Sequence, residues 1–253
     1  MRTLTLSSLL IYLLSMSLSH AAVSDNIRIH SEVLAYDLHY RIYRPDNISP
    51  QSQLPTTYVT DGEWYLSELN MPQVLDKLIK QGQIKPLQVV FIDSRNPDDL
   101  THNRRDAQFM CNKDYALFFV TELIPKIETS VSNQDANQRL LLGLSFGAIN
   151  AACFGLMLPE VFPNIAMLSP FGNEKVAVIS DLYAKQEPLP LKMFLSVGSI
   201  NDSASSVRKF RKVLRKKGYE LTYQEVNFGH EWDNWRPLLD DVLLTFFASP
   251  APE

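Results

Sequence analysis

The sequence predicts an α/β fold, with a mostly parallel central sheet covered by helices on both faces in a single domain. Three observations predict it. Short apolar runs recur along the chain, helix-like stretches separate them, and no linker-like or low-complexity gap divides the 253 residues. The composition, 45% hydrophobic and 21% charged, is that of a globular protein.

The first segment, MRTLTLSSLLIYLLSMSLSHAA, carries one positive charge at Arg2, an apolar core from Leu9 to Leu14 and a small-x-small end at Ser19-His20-Ala21. This is the pattern of a secretory signal peptide. Residues 1–21 are expected to be that signal and 22–253 the folded domain, in the periplasm or outside the cell. Serines interrupt the apolar run, which argues against an anchor. Nothing after it approaches the roughly 18 apolar residues of a membrane span, so no integral membrane segment is expected after cleavage.

DLHYRIY (37–43) alternates apolar and polar residues as a half-buried strand does, and a proline-punctuated loop follows. TTYVT (56–60), LQVVFID (87–93), LLLGL (140–144), NIAMLS (164–169) and KMFLSV (192–197) read as buried strands, and YELTYQEV (219–226) alternates again. Between them, residues 71–82 place apolar side chains at 74, 75, 78 and 79, with Pro72 at the start and Gly82 past the end, which predicts a helix. Further helices are predicted over 112–131, kinked at Pro125, over the AINAACFGLML stretch, and over 203–217 and 235–247. RKFRKVLRKKG (208–218) sets seven basic residues around Phe210, Val213 and Leu214 and reads as the solvated face of a surface helix. With a net charge of −4, no nucleic-acid partner is expected.

The chemistry centres on LLLGLSFGAIN (140–150). An apolar strand, a Gly-x-Ser-x-Gly turn (Gly143, Ser145, Gly147) and a helix-prone segment form the context of a nucleophile elbow. Such a turn strains the serine backbone and leaves no room for side chains two residues before or after it. It presents Ser145 at the carboxyl edge of the sheet, where open α/β folds bind ligands. The Phe146 amide, at the helix start, faces the place where an oxyanion would form.

A nucleophilic serine requires a base, an acid and a second oxyanion donor. Of the five histidines, His230 in GHEW follows the last predicted strand, where a loop can bring imidazole to the serine. Asp202 in VGSINDS stands at the end of KMFLSV, between serine and histidine in sequence; it suits the acid, and it also suits a cap for the helix near Ser203. The Glu63 amide in YVTDGEWY occupies the position of a second oxyanion donor, and an ordinary Asp-Gly turn reads the same way. Cys111 and Cys153 are the only cysteines. They suit a disulfide in an oxidising compartment, and Cys153 equally suits a buried free thiol.

DGEWY, the FIDS…NRRDAQFMCNKDYALFFVTELIPKIE stretch, GLSFG, VGSIND and GHEWDNWR together resemble the enterochelin-esterase-like branch of the α/β-hydrolases over residues 30–247. The resemblance implies the α/β-hydrolase fold, with Ser145 as nucleophile, His230 as base, Asp202 as acid, and the amides of Phe146 and Glu63 as oxyanion donors. It also implies substrate-binding roles for Arg104, Arg105 and Trp64, where an arginine grips an acidic or phenolic group or serves as a structural ion pair. Ala148 replaces a glycine common in the family. Only a short connection, 171–190, occupies the region that shapes the acyl pocket in relatives, so an open site is expected. The expected activity is serine esterase hydrolysis through an acyl-enzyme, on a small-molecule siderophore lactone or a glycan-linked ester, with no metal or organic cofactor. Acyl transfer on the same residues and a catalytically silent ligand-binding fold are the alternatives.

Overall fold

The computed structural model describes residues 23–46, 48–49, 52–128 and 135–250; the expected signal segment and the end of the predicted 112–131 helix lie outside them. β1 (Ile27–Ser31) and β2 (Tyr36–Tyr43) pair antiparallel. β3 (Thr56–Thr60) leads into α1 (Gly62–Ser67) and α2 (Met71–Lys80), and then β4 (Gln88–Asp93). A hairpin of β5 (Arg95–Asn96) and β6 (Asp99–Asn103) precedes α3 (Arg105–Gln108), α4 (Lys113–Phe118) and α5 (Ile124–Glu128). From there the chain alternates regularly: β7 (Arg139–Leu144), α6 (Phe146–Met157), β8 (Asn164–Leu168), α7 (Asn173–Lys185), β9 (Lys192–Gly198), α8 (Ala204–Lys216), β10 (Glu220–Val226) and α9 (Trp232–Phe247).

The main sheet has 8 strands in the order β1-β2-β4-β3-β7-β8-β9-β10. β2 pairs antiparallel with both β1 and β4, and β4, β3, β7, β8, β9 and β10 are parallel to one another. β7 shows why both faces carry helices. Its Leu141 joins the core beneath α4, α6, α7 and α8, whereas Leu140, Leu142 and Leu144 join the core beneath α1, α2 and α9. Successive strand residues point to opposite faces, so an unbroken leucine run feeds two cores. Among the described residues, no helix is long and apolar enough to cross a membrane.

The structure adds elements that the sequence reading left out. α7 fills the stretch expected to be a bare connection, burying Val176, Ile179, Ser180 and Tyr183 at a 3–4 residue spacing. At Pro125 the expected kink is a π turn over Phe119–Leu123, in which the Ile124 amide bonds the Phe119 carbonyl. Proline has no N–H for the carbonyl four residues back, and the ladder widens just before it. The choice left open for the cysteines resolves as a Cys111–Cys153 disulfide, with Cα atoms 4.8 Å apart. It ties the loop before α4 to the buried face of α6.

Candidate active site

The elbow forms where β7 turns into α6. Ser145 has φ 58° and ψ −120°, a conformation that side-chain-bearing residues rarely adopt. Its amide donates to the Leu168 carbonyl at 2.9 Å and its carbonyl accepts from Ala148 N at 3.1 Å, so bonds on both sides hold the strain in place. A methyl group on Gly143 would sit 2.0 Å from the Gly147 carbonyl oxygen; one on Gly147 would lie 3.0 Å from Thr60 Oγ1. The turn is therefore closed to larger residues, most strictly at Gly143.

Ser145 Oγ lies 2.8 Å from His230 Nε2, and His230 Nδ1 lies 3.1 Å from Asp202 Oδ1. Three residues from three loops after β7, β9 and β10 thus form one hydrogen-bonded line. The Asp202 carboxylate is fully buried. Burial alone raises its pKa, but hydrogen bonds from His230, the Gly198 amide, the Ser169 hydroxyl and the Ser203 amide outweigh that cost and hold it below the ordinary value. The amide contacts are 2.8 Å from Gly198 and 2.7 Å from Ser203. Ser203, not Asp202, is the N-cap residue of α8. Asp202 spends its oxygens on the loop and the imidazole.

Aromatic rings fix the imidazole from two sides. Phe171 lies 4.1 Å from the His230 ring at a 35° interplanar angle, and Trp235 meets it edge-on at 4.8 Å. Asn234, fully buried in the first turn of α9, donates to the Gly229 carbonyl at 2.8 Å and to Ser169 Oγ at 3.2 Å. Sequence reasoning missed Phe171, Ser169 and Asn234. Asn234 lies inside the GHEWDNWR run, four residues after His230, but only the fold brings it under the histidine loop.

On the other side of β7, Phe146 opens α6 and Glu63 is the second residue of α1, so their amides belong to first helical turns, whose N–H groups lack intrahelical acceptors. A methyl on Gly62 would meet the Phe91 backbone at 2.5 Å, which is why α1 can begin this close to β4. The preceding residue, Asp61, is buried in a left-handed conformation at φ 59°. Ser94 Oγ donates to Asp61 Oδ1 at 2.6 Å, and Arg105 Nη2 approaches Oδ2 at 2.8 Å. Burial raises the Asp61 pKa, against the opposing pull of Arg105 and Ser94. The Glu63 side chain turns away toward Arg95 at 3.6 Å and Arg41 at 4.0 Å.

The two arginines separate. The Arg105 guanidinium stands over Trp64 at 4.8 Å and over Phe146 at 5.8 Å, beside the elbow, and its Nε is buried without a hydrogen-bond partner. Arg104 instead donates to the Asp37 carbonyl at 2.7 Å and stacks on Tyr36 at 4.3 Å, which ties it to β2. Trp64 also meets Trp232 edge-on at 5.9 Å, joining α1 to the start of α9.

Residues 31–246 match the family Esterase, described as "putative esterase". A protein of Bacillus subtilis (strain 168), uncharacterized protein YjcH, is 22% identical over 228 residues, covering 85% of this chain and 94% of that protein. The iron(III) enterobactin esterase of Escherichia coli (strain K12) is 32% identical over 109 residues, 43% of this chain and 26% of that one. Among solved structures, the enterobactin esterase FES from Shigella flexneri with enterobactin superposes with a TM-score of 0.76 at 22% identity, over 89% of this chain and 58% of that chain. A ferulic acid esterase superposes with a TM-score of 0.74 at 18% identity, over 90% and 99%. This chain therefore shares the α/β-hydrolase fold of these esterases, and it spans little more than half of the enterobactin esterase structure.

Proposed function

This chain belongs to the Esterase family, and on that premise we propose that it is a serine esterase that hydrolyses a carboxylic ester through an acyl-enzyme on Ser145. One observation carries the reading: the continuous line from Ser145 Oγ through both ring nitrogens of His230 to the buried Asp202 carboxylate. Ser145 attacks the carbonyl carbon while His230 Nε2 takes its proton, and Asp202 stabilises the resulting imidazolium. The amides of Phe146 and Glu63 hold the tetrahedral oxyanion. Collapse expels the alcohol, which takes the proton from His230. Water then attacks the acyl group, and the same proton path returns Ser145 to its starting state.

Arg105 and Trp64 are the substrate-facing pair in this account, with Arg105 holding Asp61 and setting a positive charge beside Phe146 for an acidic or phenolic group. The enzyme works in the periplasm or outside the cell, a placement supported by the Cys111–Cys153 disulfide, since such bonds persist in oxidising compartments. Siderophore lactones and glycan-linked esters are the first substrates to assay, prompted by the likeness to an enterobactin esterase and a ferulic acid esterase.

The test is hydrolysis of such a panel by the parent and by Ser145→Ala, with product analysis in the presence of alcohol and sugar acceptors. Free acid released by the parent and lost in Ser145→Ala supports the esterase. Acylated acceptor in place of free acid would reassign it as a transferase, and tight binding without turnover would make it a binding protein.

A further inference from the structure

The loops around Ser145 differ in character on its two sides. On the side of β3 and β4, Glu63 and Asp93 both pair with Arg95, and Asp61 pairs separately with Arg105. The loops after β8, β9 and β10, on the histidine side, carry Phe171, Ile200 and Phe228. These three are among only seven large hydrophobic side chains left exposed among the described residues, at 44%, 47% and 41%. Two of them are joined through the backbone, and the third touches the His230 ring. The Ile200 amide donates to the Phe228 carbonyl at 3.1 Å, Phe228 lies two residues before His230, and Phe171 stacks on the His230 ring. A soluble surface rarely concentrates exposed apolar groups without a binding role.

The reaction specifies which half of an ester meets this side. His230 must hand its proton to the departing alkoxide oxygen, within hydrogen-bond reach. The alcohol half of the substrate therefore leaves across the histidine loop, and the acyl half stays bonded to Ser145 with its oxygen toward Phe146 and Glu63. We propose that Ile200 and Phe228, together with Phe171, form a leaving-group shelf that selects esters of aromatic or otherwise apolar alcohols. This rests on the esterase reading above and deepens it, ranking esters with an apolar alcohol half above those of sugar hydroxyls.

The test uses three esters of one acid: benzyl, methyl and glyceryl butyrate. Benzyl alcohol and methanol have closely similar acidity, so their esters differ little in intrinsic leaving ability and chiefly in apolar surface. The parent should show a kcat/KM for the benzyl ester about tenfold above that for the methyl ester, the effect of burying part of one ring, with the glyceryl ester no better than the methyl. In Ile200→Ser/Phe228→Ser the benzyl-to-methyl ratio should fall to about two or below. Phe171 is left intact, because its loss would disturb His230 directly. The rate of fluorophosphonate labelling of Ser145 verifies that the double variant is folded and its serine activated. Equal kcat/KM for benzyl and methyl esters in the parent, or a ratio that survives the double substitution, overturns the shelf and leaves the esterase standing. Failure of the parent to hydrolyse any of the three, together with a serine that does not label, overturns the esterase reading itself.

Discussion

Asn234 Nδ2 donates to the Gly229 carbonyl at 2.8 Å, so the first turn of α9 holds the residue immediately before His230. The same amide reaches Ser169, whose hydroxyl bonds Asp202. One buried side chain thus braces both supports of the imidazole. Asn234→Leu should lower kcat about 10- to 100-fold with little change in KM, because small misplacements of a catalytic group carry that cost. Steady-state kinetics beside a denaturation curve separates this from general unfolding. A variant that loses stability but keeps kcat would assign Asn234 a purely structural role.

Ser145, His230 and Asp202 act as one unit in the proposed mechanism, so their substitutions should not add. Ser145→Ala and His230→Ala should each lower ester turnover by at least about 10⁴-fold, and the double variant should be no worse than either single one. Independent, multiplying losses would mean that the two residues contribute separately.

Gly143→Ala should fail to fold or lose at least about 3 kcal/mol, since its methyl would overlap the Gly147 carbonyl oxygen at 2.0 Å and neither backbone can yield. Urea unfolding measures this. Full stability would mean that the elbow can relax.

The Cys111–Cys153 bridge closes a separation of 42 residues, which on loop entropy stabilises the fold by about 4 kcal/mol. Cys111→Ser/Cys153→Ser should lower the unfolding midpoint accordingly. An unchanged midpoint would contradict the pairing.

The Asp202 carboxylate, held below its ordinary pKa, sets a pH signature. Its folded value lies under the unfolded value of about 3.9, so its ionised form contributes stability that is present above that unfolded value and is lost as pH falls through the folded one. The stability gap between parent and Asp202→Asn should therefore be wider at pH 7 than at pH 3, read from denaturant midpoints. A gap constant across that range would mean that the carboxylate gains nothing from its hydrogen bonds.

Much of this arrangement was legible in the sequence because it is local. The Gly143-Ser145-Gly147 spacing, the strand before it and the helix after it specify the elbow without reference to distant contacts. The order of Ser145, Asp202 and His230 was legible for another reason, since each follows a predicted strand. What was not legible depends on packing between loops distant in sequence. Nothing in the chain marks Phe171 as the partner of His230, or Arg105 as the partner of Asp61 rather than a companion to Arg104. α7 was in principle readable from Val176, Ile179 and Tyr183, but the exposed apolar residues Val178 and Leu182 blur its stripe.

The most direct test of the central claim is the intact mass of the purified protein after treatment with a fluorophosphonate, beside Ser145→Ala and His230→Ala. The account predicts one stoichiometric adduct on the parent and none on either variant, since only a serine activated by its histidine reacts. No adduct on a folded parent, or an adduct that persists in Ser145→Ala, would contradict it.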